Sequence, residues 1–195
     1  MTRTRLLSRS LSFLLLFTLV IAPPGSAQLG LKGGVSFATL SNATPDLKTR
    51  TGFAGGVALS FGRGTLALQP EVLFVRKSAA REPTTGEEPA AVRTDYLEIP
   101  VLLRLNLPVG GVTAFGLGGG LYDLLLNCDL VGGACPNEVS GHDFGVVLGG
   151  GIKFGGRRPL SIEGRYTWGL TNISELSSGL DQKTRTFMIL AGIGL

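Results

Sequence analysis

The amino-acid sequence predicts an all-β fold, an eight-stranded antiparallel up-and-down barrel. Three observations carry this expectation: eight segments in which apolar side chains alternate with polar or small ones, connections that are short and long in turn, and an N-terminal export segment.

The export segment comes first along the chain. Arg3, Arg5 and Arg9 precede an apolar run over 11–22, which is followed by Pro23, Pro24 and the small residues Gly25, Ser26 and Ala27. A basic start, an apolar centre and a small-residue end make a secretory signal peptide over 1–27, with cleavage expected after Ala27. The apolar run is shorter than the ~20 residues a spanning helix needs. Three of the 18 basic residues and none of the 14 acidic ones lie in this segment, so residues 28–195 carry a formal charge of only +1. No basic patch is interleaved with aromatic residues, so nucleic acid is not an expected partner. No linker divides residues 28–195, which read as one domain.

The eight strands follow. In the first, Leu29, Leu31, Val35 and Phe37 alternate with Gly30, Lys32, Gly34 and Ser36. In the second, Phe53, Gly55, Val57, Leu59 and Phe61 alternate with small residues and Ser60. In the third, Leu66, Leu68, Pro70, Val72 and Phe74 oppose Ala67, Gln69, Glu71, Leu73 and Val75. The fourth, YLEIPVLLRLNL over 96–107, sets six apolar residues from Leu97 to Leu107 against Glu98, Pro100, Leu102, Arg104 and Asn106. The fifth, over 112–124, is rich in glycine and its phase is ambiguous. The sixth opposes Phe144, Val146, Leu148, Ile152 and Phe154 to Gly145, Val147 and Lys153. The seventh opposes Leu160, Ile162, Gly164, Tyr166 and Trp168 to Ser161, Glu163, Arg165 and Thr167. The eighth opposes Phe187, Ile189, Ala191, Ile193 and Leu195 to Thr186, Met188, Leu190, Gly192 and Gly194.

Short links are expected at 62–64, 108–111 and 155–159, and long polar ones over 38–51, 77–91, 125–142 and 170–183. An even strand number with turns at one end and long loops at the other is the pattern of a transmembrane barrel. The uncharged stretch 105–122 invites a spanning helix, but Pro108 and six glycines argue for two hairpin strands.

Polarity assigns the two faces. Lys32, Glu71, Glu98, Arg104, Lys153, Glu163 and Arg165 all fall opposite the apolar phase, as they must if that phase meets lipid, where a mid-bilayer Arg or Lys costs about 2–4 kcal/mol. Phe37, Phe61, Phe74, Tyr96, Tyr166 and Trp168 fall near strand ends, as interfacial girdles do. An eight-stranded barrel is just wide enough for side chains to fill. Glu71, Glu98 and Glu163 are therefore expected to pair with Lys32, Arg104, Lys153 and Arg165 as structural charge compensation, with an ion path as the alternative. The opposite phase would make a soluble, lipocalin-like barrel around an apolar ligand.

The segments LGLKGGVSF (29–37), LQPEVLFV (68–75), YLEIPVLLRLNL (96–107) and EGRYTWGLTNI (163–173) together resemble the PorT-like outer-membrane β-barrel proteins of Bacteroidota and relatives. The PE strand followed by the YLEIP strand is the most specific element. The resemblance implies insertion into outer-membrane lipid by the barrel-assembly machinery, with long loops outside the cell, and brings no activity. Leu195 departs from the aromatic residue that usually ends such chains.

Chemistry is sparse. His142, beside Ser140 and Asp143, is the only candidate for a neutral-pH general base, and adjacent residues of an extended chain point apart, so no catalytic site is expected. No phosphate-binding glycine motif is completed. Cys128, Cys135 and His142 are too few ligands for a structural metal site, and no cofactor is expected. In an exported protein Cys128 and Cys135 are expected to form a loop disulfide. The expected protein is thus a monomeric, non-enzymatic outer-membrane barrel. Its role lies in envelope structure or in recognition by the loops at 76–93 and 128–135, with a small pore as the remaining alternative.

Overall fold

The structure, a computed structural model, describes residues 27–40, 47–62, 64–81, 91–130, 141–156, 158–170 and 184–195. The signal peptide expected over 1–27 lies, except for Ala27, outside the described residues, as do most of the long connections. Eight strands follow in chain order: β1 (Ala27–Leu40), β2 (Leu47–Phe61), β3 (Leu66–Arg81), β4 (Ala91–Val109), β5 (Val112–Leu130), β6 (His142–Phe154), β7 (Leu160–Gly169) and β8 (Thr184–Gly194). Each pairs antiparallel with its neighbours, and β1 closes on β8, with Leu31 opposite Ile193 and Phe37 opposite Phe187. Closure matters because a strand satisfies none of its backbone groups internally, and an open edge in lipid would leave them unpaired.

Alternation then decides which way each side chain points. On β4, Leu103 is 52 % exposed, while its neighbours Leu102 and Arg104 are 0 % and 8 % exposed. The same holds around the barrel. Leu31, Phe53, Val72, Leu148, Ile162 and Ile189 face outward, and Glu71, Glu98, Glu163 and Arg165 face inward. The apolar phase is outside, which overturns the soluble, ligand-enclosing alternative. On β5, the phase left ambiguous by the glycines resolves with Phe115, Leu117, Leu121 and Asp123 inside.

The uncharged stretch 105–122 is the β4–β5 hairpin, turned at Gly110, whose φ of +62° favours a residue without Cβ. Glycine also makes room inside. A Cβ on Gly149 would lie 2.6 Å from the Cβ of Arg165, and one on Gly151 would lie 2.7 Å from the Phe115 ring. Pro100, fully buried, supplies no N–H, and the β3–β4 pairing skips from Pro70–Val101 to Leu73–Glu98.

Five strand ends differ from expectation. β1 and β2 reach Leu40 and Leu47, β3 and β4 reach Arg81 and Ala91, and β5 reaches Leu130, all within stretches expected to be loops. Polar residues there keep their ladder partners, as Lys77 does opposite Thr94, and hydrophobic patterning is blind to such pairing. Tyr96 is a second correction. It lies in phase with Glu98 and turns into the lumen, where its ring centroid is 4.5 Å from the ammonium of Lys77, so it is not part of the outer girdle.

Candidate functional site

The lumen is the built site of this protein, and it divides into three levels along the barrel axis. At mid-height, Lys32 of β1 lies 2.6 Å from Glu71 Oε1 of β3 and 2.5 Å from Glu163 Oε2 of β7. Arg165 of β7 donates from Nη1 to Glu71 Oε2 at 2.7 Å and lies 3.6 Å from Glu163 Oε1. Two cations and two carboxylates thus share one ring, each nearly solvent-free. Such burial is tolerable because each charge has two opposite partners. Gln69 adds a further hydrogen bond, its Nε2 donating to Glu71 Oε1 at 2.6 Å.

Toward the long-loop end, Lys77 Nζ lies 3.0 Å from Glu98 Oε1 and 3.1 Å from Asp123 Oδ2. Neither Lys77 nor Asp123 stands among the expected lumen charges. Lys77 was within a presumed loop, although it continues the inward phase of Gln69, Glu71, Leu73 and Val75. Asp123 was hidden by the ambiguous phase of its glycine-rich strand. Glu98 therefore pairs with Lys77 rather than with Lys32, Arg104, Lys153 or Arg165.

The short-turn end is different again. Arg104 Nε donates to Asn106 Oδ1 and Nη1 donates to Gln69 Oε1, both at 3.0 Å, and the guanidinium lies 3.7 Å from the centroid of the Phe115 ring. Lys153 lies near it across a cavity of about 440 Å³ that opens at this end. Among the described residues no carboxylate lies within ion-pair distance of Arg104 or Lys153, contrary to the expected pairing. The register explains it, because Glu71 and Glu163 sit one level higher and are already taken by Lys32 and Arg165.

Apolar side chains fill the space between the ion pairs. Ala54, Leu73, Val75, Met188 and Leu190 form one buried cluster, and Leu102, Phe115, Leu117, Leu121 and Val147 form another. Outside the barrel, aromatic residues gather near the long-loop end. Phe37 stacks with Phe187 at 6.3 Å and Tyr166 contacts Trp168 at 4.5 Å. Arg76 forms a two-point pair with Asp95 at 2.6 and 2.8 Å while lying over Phe53 at 5.1 Å.

His142 is exposed and hydrogen-bonded through Nδ1 to the Tyr122 hydroxyl at 2.6 Å, whereas Asp143 is buried on the opposite face of β6. The two do not converge, and Ser140 lies outside the described residues. Cys128 lies on β5, while Cys135 also falls outside the described residues. Among the described residues no group of three His, Cys, Asp or Glu side chains is arranged to hold a metal ion.

A closed barrel with an apolar exterior, an aromatic girdle and a lumen of paired charges is the architecture of an outer-membrane β-barrel. The chain belongs to the family described as outer membrane protein beta-barrel domain, whose model matches residues 22–175. Its fold is similar to the crystal structure of Neisserial surface protein A, with a TM-score of 0.57 at 13 % identity, covering 87 % of this chain and 96 % of that one. It is also similar to the outer membrane protein OprG from Pseudomonas aeruginosa, with a TM-score of 0.51 at 14 % identity and coverages of 87 % and 96 %. No curated protein matches the chain in sequence.

Proposed function

We propose that this protein is a plugged, non-enzymatic, monomeric barrel that stabilises the outer membrane and presents its long loops for recognition at the cell surface. The observation that carries this reading is the filled lumen. The ring of Lys32, Glu71, Glu163 and Arg165, flanked by two apolar clusters, leaves no wide path for solutes. Loops held by a rigid scaffold are the common place for binding when a barrel interior is occupied. The short turns face the periplasm and the long connections face outward, following the usual orientation of such barrels.

The finer parts of the proposal are cleavage after Ala27, insertion by the barrel-assembly machinery, PorT-like kinship and a Cys128–Cys135 bridge. Envelope fractionation with a comparison of unboiled and boiled migration tests insertion, and recovery in the soluble periplasm would refute it. Deleting residues 82–90 and 131–140 in turn tests the role of the loops. Loss of surface binding or envelope integrity is expected, and unchanged phenotypes in both deletions would refute that part.

A further inference from the structure

We infer that the short-turn mouth of the barrel is a binding site for a small oxyanion of phosphate type, held between Arg104 and Lys153. The periplasmic facing of this mouth rests on the orientation proposed above; the site does not.

Its first support is the state of Arg104. This side chain is 8 % exposed, and its Nη2 is buried without a hydrogen-bond partner. Its other two donor positions meet the neutral oxygens of Asn106 and Gln69, not carboxylates. The guanidinium is thus oriented on three sides, by two amides and the Phe115 ring, with no carboxylate in ion-pair contact. Asn106 is itself anchored, its Nδ2 donating to the carbonyl of Gly64 at 3.2 Å. Gln69 is anchored as well, accepting from Ser60 Oγ at 3.3 Å and donating to Glu71. That amide stands between Arg104 and Glu71, bonded to both.

Its second support is the distribution of lumen charge. At the upper two levels Lys32, Lys77 and Arg165 are outnumbered by Glu71, Glu98, Asp123 and Glu163, four carboxylates to three cations, so no cation there lacks a counter-ion. Arg104 and Lys153 are left together at the third level, lining one cavity. No Asp or Glu pairs with either among the described residues. Two cations of one sign facing a shared cavity repel each other, and an anion between them removes that repulsion. The space is adequate. A cavity of about 440 Å³ holds a phosphate with several waters of about 30 Å³ each. Gln28 and Ser60 on its wall supply neutral hydrogen-bonding groups. A guanidinium fork and an ammonium are the usual pair for a tetrahedral oxyanion, one giving directional donors and the other a mobile point charge.

The phosphate could be free in solution or belong to a lipid headgroup reaching over the rim, and the test separates the two. The full-length mature barrel is refolded into a maltoside detergent, which carries no phosphate, and titrated with inorganic phosphate, reading the side-chain nitrogen resonances of Arg104 by NMR and the affinity by calorimetry. Saturable binding with a shift at Arg104 is expected, weakened about tenfold or more in Lys153→Gln, as loss of one charge-assisted hydrogen bond implies. Arg104→Gln should lose binding altogether. Lys153 has no ion pair to break, so its variant keeps the inference testable if Arg104→Gln does not fold. Exposed Arg185→Gln, outside the lumen, should bind as the parent does. Repeating the titration in phosphatidylglycerol nanodiscs identifies the source, since competition there would retain the site and assign its phosphate to lipid. Phosphate binding that does not saturate, or that survives Lys153→Gln at unchanged affinity, would overturn the inference.

Discussion

Arg165 donates to Glu71 at 2.7 Å across the lumen, joining residues 94 positions apart in the chain, with both side chains at most 1 % exposed. The pair links β7 to β3, strands that are not neighbours in the sheet, so it braces the barrel from inside. Removing one partner leaves the other charge in a dry interior with only one of its two counter-ions. Arg165→Met or Glu71→Leu should therefore each destabilise the barrel by about 3–5 kcal/mol, while the double variant should cost less than the sum. Urea unfolding in lipid vesicles, followed by the fluorescence of Trp168, the only tryptophan, measures this. Strict additivity would show that the two charges do not interact.

The lipid face gives a depth-dependent prediction. Leu103→Arg places a charge in the middle of the apolar band of β4 and should cost about 2–4 kcal/mol, whereas Leu126→Arg, at the long-loop end of β5, should cost about 0–1 kcal/mol. Equal costs at both positions would contradict the outward phase assigned to Leu103.

Glycines inside and outside the barrel should respond oppositely. A Cβ on Gly151 would lie 2.1 Å from the carbonyl oxygen of Ile162, while one on Gly116 meets nothing within 4 Å. Gly151→Val should abolish the boiling-dependent shift in gel migration or cut stability by more than the ~1–3 kcal/mol of ordinary overpacking. Gly116→Val should fold normally, on a face that lipid covers.

Planar-bilayer recording tests the plug. The parent should show no steady openings, because the mid-height ring fills the cross-section. Replacing Lys32, Glu71, Glu163 and Arg165 together by alanine removes that ring, and discrete openings should then appear if the variant folds. Steady conductance by the parent would make the small pore the better reading.

Thiol counting tests the cysteines. Denatured, unreduced protein should take up no maleimide, and two labels per chain only after reduction. Under the loop-entropy account a ring this small contributes about 2–3 kcal/mol, confined to the loop end.

Much of this molecule was decided by strict alternation. Strand number, the outward apolar face and the inward phase of Lys32, Glu71, Glu98, Arg104, Lys153, Glu163 and Arg165 follow from a side-chain period of two, a property local to each strand. Which charges meet is not local. It depends on strand register and on height within the barrel, which only the closed sheet sets. Closure put Lys77 rather than Arg104 beside Glu98, brought Asp123 to the same ammonium, and left Arg104 and Lys153 without a carboxylate at the short-turn mouth. Tyr96 shows the same division: its position near a strand end suggested an interfacial aromatic, but its parity and the height of Lys77 turned it inward. Periodicity fixes the face a side chain occupies, and only pairing across the sheet decides its neighbours, because a two-residue change in register would keep each side chain on its face while exchanging its ionic partners.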